Sequence, residues 1–128
     1  MDYLSKEDIL QIHSIAIDET GGLHGVRDHV AILSLENAPK QKVFGKELYP
    51  TIFLKAAIYA RDIIMNHPFL DGNKRTGMVA ASVFLENNGY EVAAKEGEIE
   101  KLALKIIANK LSVGAIAAWL KKHSKRLR

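Results

Sequence analysis

The chain has 128 residues, contains no cysteine and carries a formal net charge of +3 at pH 7. This length fits one compact domain spanning residues 1–128, and the lack of cysteine excludes both a disulfide framework and a thiolate metal site. No apolar run approaches the roughly 20 residues that a membrane-spanning helix needs, and the polar, acidic N-terminus is unlike a signal peptide. We therefore expect a cytoplasmic protein with no membrane partner.

The first third of the chain shows two helical segments with clear start signals. Ser5 and Asp8 are spaced as a capping box, and apolar residues then recur on one helical face until Gly21 and Gly22 interrupt it. Asp28 is placed to cap a short second helix that runs to about Leu35. These signals predict two helices separated by a glycine-rich connection.

A polar connection and a third helix follow. Residues 37–47 contain Pro39 and Gly45 as breakers, so we expect a connection without a helix. Pro50 suits the first turn of a third helix, which should run to about Asn66.

The second half of the chain contains three more helical patterns. The fourth helix should cover 73–88, and its stretch 78–85 is apolar nearly all round apart from Ser82, as buried helices are. A fifth helix covers about 98–109, and Ser112 caps a sixth. The basic tail 121–128 is most simply a solvated helix end whose cations complement the macrodipole, and no direct nucleic-acid binding is expected from it. The sequence predicts an all-α fold: one compact bundle of about six helices around a buried central helix.

The most informative stretch, residues 67–77, lies between the third and fourth helices. The first N–H groups of a helix lack intrahelical partners and attract anions. Gly72 would let a phosphate approach closely, and Asn73 could cap the helix or bind a substrate group. Lys74 and Arg75 have the wrong sign for a helix N-terminus, which indicates a bound anion because sequences tend to break local rules at functional sites. This loop is therefore a candidate phosphate site.

Three neighbouring side chains are also candidate site residues, two with a chemical role and one with a structural role. Asp71 is a candidate Mg²⁺ ligand, because Mg²⁺ is commonly held by one or two carboxylates plus substrate phosphates; alternatively it caps the helix or pairs with a cation. His67 is a candidate general base or a structural histidine capping the preceding helix, and Pro68 favours an extended conformation for it. Phe69 should anchor the loop in the core.

Residues 67–75, His-Pro-Phe-Leu-Asp-Gly-Asn-Lys-Arg, resemble the signature of the Fic/Doc superfamily, His-x-Phe-x-Asp/Glu-Gly/Ala-Asn-Gly/Lys-Arg. Lys74, the short chain, the Gly-Gly…Gly-x-x-Asp pattern of 21–28 and the run 84–90 are similar to the Doc, or death-on-curing, branch. The resemblance covers about residues 4–92.

This resemblance implies a compact helical fold and a toxin of a toxin–antitoxin pair. Such toxins use ATP to phosphorylate a hydroxyl of elongation factor Tu and arrest translation. By resemblance, His67 would activate the hydroxyl, Asp71 would hold Mg²⁺, and Gly72, Asn73, Lys74 and Arg75 would bind the nucleotide phosphates. The expected partner is a Phd-type antitoxin that docks as a helix in a groove.

Other functions stay open. A Fic-type AMP transferase would usually have a second arginine where Met78 stands, which disfavours that chemistry, although Gly72 is Fic-like. A non-catalytic binding protein is a third possibility, whereas the spacing of His24 and His29 does not suit a zinc enzyme. The 37–47 connection corresponds to the flap that Fic folds place over a target peptide, or it is a mobile linker.

Overall fold

The computed structural model describes residues 1–95 and 97–127. Six α-helices dominate this part of the chain, and the prediction of an all-α bundle of about six helices is confirmed. None of the helices in the described ranges is long and apolar enough to cross a membrane. The helices are α1 (Lys6–Thr20), α2 (His29–Leu35), α3 (Ile52–Asn66), α4 (Asn73–Asn87), α5 (Glu98–Asn109) and α6 (Val113–Lys122).

The helix starts follow local hydrogen-bonding chemistry. Asp8 N–H donates to Ser5 Oγ, and Ser5 N–H donates to the Asp8 carboxylate, so the predicted capping box is confirmed. Asp28 caps α2 and Ser112 caps α6 in the same way. The prediction that Pro50 lies in the first turn of α3 is wrong, because the Thr51 hydroxyl accepts the N–H of Leu54 and makes Thr51 the cap.

The core is centred on two helices, α3 and α4, which pack against each other; α3 also contacts α2, α5 and α6. The helix predicted to be central, α4, therefore shares the centre of the core with α3. The two backbones approach closely at Gly77, where an added Cβ would lie 2.8 Å from Ile64 Cγ1 and 3.0 Å from the Ala60 carbonyl oxygen. This packing joins the first turns of α4 to the last turns of α3 and so fixes both ends of the loop between them.

The 37–47 connection has more structure than the sequence predicted. A short 3₁₀ turn, Ala38–Lys40, leads into β1 (Lys42–Val43), which pairs antiparallel with β2 (Lys46–Glu47). Phe44 and Gly45 form the tip, and both have positive φ, the pattern of a type I′ hairpin turn. We call residues 41–48 the hairpin.

The interpretation of the basic tail as a solvated helix end is confirmed for Lys121 and Lys122, which are exposed in the last turn of α6, and is wrong for residues 124–126. After α6 ends, β4 (Ser124–Arg126) pairs antiparallel with β3 (Tyr90–Val92). Pairing gives these backbone groups hydrogen-bond partners that a frayed helix end would lack. The His123 ring also stacks on Trp119 at 3.9 Å. Arg128, the last residue of the predicted tail, lies outside the described residues.

Candidate active site

The 67–77 loop forms one side of an open groove with a volume of about 720 Å³. The loop side is polar and carries most of the candidate site residues. The opposite side is mainly apolar and comes from α4 and α5. The lining residues are His67, Leu70, Asp71, Gly72, Asn73, Lys74, Arg75, Met78, Val79, Ile99, Glu100, Ala103, Leu104 and Ile107. The groove therefore brings the predicted base, the metal ligand and the phosphate ligands to one surface.

His67 is the C-cap of α3 and adopts a left-handed conformation, with φ 48° and ψ 58°. The prediction of an extended His67 is therefore wrong, and tertiary hydrogen bonds explain why. Arg27 Nε donates to the carbonyl oxygen of His67 and its Nη2 donates to that of Asn66, each at 2.6 Å. The guanidinium holds two carbonyls that the end of α3 leaves without helical partners, and this offsets the preference that Pro68 imposes.

One hydrogen bond of the His67 imidazole indicates which tautomer the neutral ring adopts. Its Nδ1 lies 3.2 Å from the carbonyl oxygen of Met65, and because a carbonyl only accepts, Nδ1 must carry the proton. Nε2 of the neutral ring is then unprotonated and able to accept a proton. The ring thus caps a helix carbonyl, as one of the two interpretations predicted, and the role of His67 as a general base stays a prediction.

Residues 22–28 run antiparallel to the site loop, and we call this segment the strap. Leu23 N–H donates to Asp71 Oδ2, Leu70 N–H donates to the Gly25 carbonyl, and the amides of Arg27 and Asp28 both donate to the Pro68 carbonyl. Val26 and Phe69 form the bridge between these contacts. From the sequence, this stretch was predicted only to be a glycine-rich connection similar to that of the Doc branch. Its role is to bind the backbone of the loop.

Asp71 is exposed and its carboxylate is oriented by two backbone amides. Gly72 N–H donates to Oδ1 at 2.9 Å, and Leu23 N–H donates to Oδ2 at 3.2 Å. A Cβ on Gly22 would lie 2.6 Å from Oδ2, so the strap can approach this closely only with a glycine there. Each carboxylate oxygen keeps acceptor capacity, because an ionised carboxyl offers about four lone-pair sites.

Gly72 and Asn73 shape the loop from within. Gly72 has φ 75°, and an added Cβ would lie 2.8 Å from Ile17 Cδ1, so the backbone and α1 require glycine whether or not a phosphate approaches. The buried Asn73 amide accepts from Phe69 N–H and donates to the Phe69 carbonyl, both at 3.0 Å. Its side chain therefore closes the loop, and phosphate binding by Asn73 stays a prediction.

Lys74 and Arg75 lie exposed in the first turn of α4, on the rim of the groove. Arg75 Nη2 lies 3.3 Å from Glu19 Oε2, and both side chains are about half exposed. An exposed pair of this kind contributes little, so the guanidinium can exchange this partner for a phosphate.

Phe69 lies where the sequence placed it, in the core beneath the loop and 1% exposed. Its ring stacks on His13 of α1 with a centroid separation of 3.8 Å. His13 was not among the predicted site residues, although its position one turn from Ile9 and Ile17 on the apolar stripe of α1 indicated that it is buried.

The apolar wall of the groove is a feature that the motif did not predict. Met78 and Val79 continue from the loop along α4, while Ile99, Leu104 and Ile107 face them from α5. Leu104 and Leu70 are each more than half exposed at this surface. Helical periodicity marks the apolar face of such a helix, but it cannot tell a core face from a groove wall.

Comparisons with known proteins agree with this fold and this loop. The Fic/DOC family model matches residues 3–85. A relative named Toxin Doc, from Mycolicibacterium smegmatis, is 40% identical over 93 residues, which are 73% of this chain and 69% of the relative. A second, named Protein kinase doc, from Escherichia phage P1, is 28% identical over 122 residues, which are 95% of each chain.

The matched range contains α1, the strap, the hairpin, α3, the site loop and most of α4. The candidate site residues 67–75 lie within this matched range. The chain belongs to the Fic/DOC family.

Proposed function

We propose that this protein is the toxin of a toxin–antitoxin pair and acts in the cytoplasm as an ATP-dependent protein kinase. It transfers the γ-phosphoryl group of ATP to a hydroxyl of elongation factor Tu and so arrests translation. The names Toxin Doc and Protein kinase doc of the two relatives support this class of activity. The choice of elongation factor Tu rests on the resemblance of residues 67–75 to the Doc branch.

The contact between His67 Nδ1 and the Met65 carbonyl oxygen is the observation that carries the proposal, because it leaves Nε2 as the nitrogen that can accept a proton. A hydroxyl nucleophile must lose its proton, and a neutral imidazole with a free Nε2 can accept it near neutral pH. Arg27 fixes the backbone of His67 and the Met65 carbonyl fixes its ring. These contacts orient the ring so that Nε2 is the nitrogen left free of a protein hydrogen bond to the Met65 carbonyl.

Asp71 fits a Mg²⁺ ion that the nucleotide brings with it. Within residues 1–95 and 97–127, no three side chains of histidine, aspartate, glutamate or cysteine cluster as a metal cage. Mg²⁺ does not require such a cage, because it commonly uses one or two carboxylates, substrate phosphates and water. Bound beside Asp71, the ion would neutralise phosphate charge. Lys74, Arg75 and the N-terminus of α4 would orient the phosphates by charge and hydrogen bonding.

The hairpin supplies a surface for the protein substrate. Its residues are exposed, it carries Lys42 and Lys46, and Phe44 at the tip is 100% exposed. Lys55, near the start of α3, holds the hairpin through Glu47. His67 lies 12 residues after Lys55, roughly 18 Å along the helix axis. A folded protein can span that distance and contact the hairpin while presenting a hydroxyl to His67.

The antitoxin would occupy the groove. A Phd-type segment docking as a helix would cover the apolar wall formed by Ile99, Leu104 and Ile107. The same groove includes His67 and Arg75, so such a helix would compete with the nucleotide. This arrangement would silence the toxin without a chemical change.

The test is transfer of label to purified elongation factor Tu from ATP labelled at either the α- or the γ-phosphate. Label from the γ-phosphate is expected with the wild type, and His67→Ala should lower the rate about 10²- to 10⁴-fold, the usual contribution of a general base. His29→Ala, which removes an exposed histidine of α2 outside the groove and the hairpin, serves as the matched folded variant with His67 intact.

Retention of label from the α-phosphate would instead identify the protein as an AMP transferase. If neither label is transferred and His67→Ala remains as toxic to cells as the wild type, the enzyme hypothesis is wrong and a non-catalytic binding function replaces it.

A further inference from the structure

His13 is a buried histidine directly beneath the site loop. It lies in the middle of α1 and is 4% exposed. Its Nε2 is 2.8 Å from the carbonyl oxygen of Asp71, and because that carbonyl can only accept, Nε2 carries the proton and donates. The ring plane is set independently, by stacking on Phe69 with an interplanar angle of 4°.

The same face of α1 supports the next residue of the loop. Ile17, one turn beyond His13, would be 2.8 Å from a Cβ on Gly72. His13 thus holds the carbonyl of the 71–72 peptide from below, while the amide of that peptide, Gly72 N–H, donates to Asp71 Oδ1. A rotation of this peptide plane would break both hydrogen bonds and turn the carboxylate away.

We propose that His13 is a positioning residue for Asp71. Its Nε2–H fixes the 71–72 peptide and thereby directs the Asp71 carboxylate toward the divalent cation that accompanies the nucleotide. This inference rests on the proposed function in that Asp71 binds the cation. His13 touches neither the substrate nor the cation, and it acts through the orientation of the ligand, as groups behind metal ligands do.

Two substitutions separate the hydrogen bond from the stacking. His13→Gln keeps a donor near the position of Nε2 and loses the ring, whereas His13→Phe keeps a ring against Phe69 and loses the donor. The probe is Mn²⁺ binding, followed by electron paramagnetic resonance with a non-hydrolysable ATP analogue. His13→Phe should bind Mn²⁺ about 10-fold more weakly than the wild type, and His13→Gln within about 3-fold of it.

A thermal unfolding curve and amide exchange of residues 70–73 accompany each variant. The expected result is that His13→Phe keeps its melting temperature while the amides of 70–73 exchange faster. If His13→Phe does not fold, His13→Leu, which also lacks the donor, takes its place. In an Asp71→Asn background, loss of the donor should no longer change Mn²⁺ binding.

Mn²⁺ binding equal to that of the wild type in a folded donorless variant would overturn the proposal. Failure of both donorless variants to fold, or equal weakening by Gln and Phe together with lower melting temperatures, would assign His13 to the core alone and also overturn it. A wild type that binds Mn²⁺ and the analogue but transfers no phosphoryl group would refute the proposed reaction and leave the positioning role supported. A wild type that binds no Mn²⁺ with the analogue would refute the positioning role.

Discussion

The site loop and the hairpin use the same unusual backbone and hold it in opposite ways. Gly72 and Gly45 have nearly identical φ angles, 75° and 76°, and each region has one non-glycine residue with positive φ, His67 and Phe44. In the site loop, hydrogen bonds with the strap and α1 hold the backbone of residues 67–71. At the hairpin tip, nothing lies within 4 Å of a Cβ added to Gly45.

The difference in how the two backbones are held fits the different functions proposed for the site loop and the hairpin. A group that accepts a proton or binds a cation must be held within fractions of an ångström, so its loop is tied down before the substrate arrives. A surface that meets another protein can adapt to it, and exposed loops with few contacts are where such surfaces occur. We therefore expect substitutions in the site loop to affect stability and catalysis, and substitutions at the hairpin tip to affect substrate recognition.

The largest effect should come from Gly72→Ala compared with Gly45→Ala. Both place alanine at positive φ, which costs about 1 kcal/mol. Only Gly72→Ala also drives a methyl group into Ile17, and overpacking adds about 2 kcal/mol. Chemical denaturation should therefore show a loss of about 3 kcal/mol for Gly72→Ala and about 1 kcal/mol for Gly45→Ala. Equal losses would mean that α1 does not constrain the site loop.

The next effect concerns Arg27, which secures the end of α3. Arg27→Ala removes both donors to the Asn66 and His67 carbonyls, and the resulting displacement of the base should lower kcat about 10- to 100-fold. Binding of an ATP analogue should change little. The kcat of Arg27→Lys, which lacks the planar guanidinium, should lie between that of the wild type and that of Arg27→Ala. An unchanged kcat in Arg27→Ala would show that His67 keeps its position without the strap.

Phe44 tests the hairpin side of the comparison. Asparagine tolerates positive φ, and Asn-Gly is a favoured type I′ pair, so Phe44→Asn should raise the free energy of unfolding by about 0.5 kcal/mol by relieving backbone strain. If the exposed ring contacts the substrate, phosphoryl transfer to the protein substrate should drop about 10-fold. Binding of the ATP analogue, measured alongside, should not change. An unaltered KM for the protein substrate would exclude Phe44 from recognition.

The smallest effect is the pH dependence of the contact between Glu47 of the hairpin and Lys55. The pKa of Glu47 is lowered, first by its hydrogen bond from Lys55 Nζ at 2.9 Å and then by the charge of Lys55. A lowered pKa means that this contact stabilises the hairpin above the ordinary glutamate pKa, and that the stabilisation is lost as the pH falls through the lower folded value. An NMR titration of Glu47 should give a pKa below that of a free glutamate.

Lys55→Met provides the matched variant for that titration. It should return the pKa of Glu47 close to its ordinary value and leave the Pro39 carbonyl without the ammonium that now donates to it. If the pKa of Glu47 is the same in both proteins, the ion pair does not form in solution.

Local chemistry made much of the fold predictable from the sequence. The capping box at Ser5 and the caps at Asp28 and Ser112 located helix starts, because each depends on residues only a few positions apart. The site loop was recognisable for the same reason, since its chemical groups are consecutive.

Features that depend on distant residues could not be predicted. The left-handed conformation of His67 depends on Arg27, 40 positions earlier. The pairing of β3 with β4 joins segments separated by α5 and α6. His13 and the Asp71 carbonyl that it contacts are 58 positions apart, and no local sequence pattern extends over so many residues.

The strap has a consequence for control of the protein. Leu23 is largely exposed, and the strap's backbone holds residues 67–71 from the side. A molecule that binds the strap more tightly in a displaced position would carry the loop with it and shift the population of catalytically competent molecules. Such an allosteric effector would need no access to the groove, and its influence on nucleotide affinity would be matched by an equal influence of the nucleotide on its own binding.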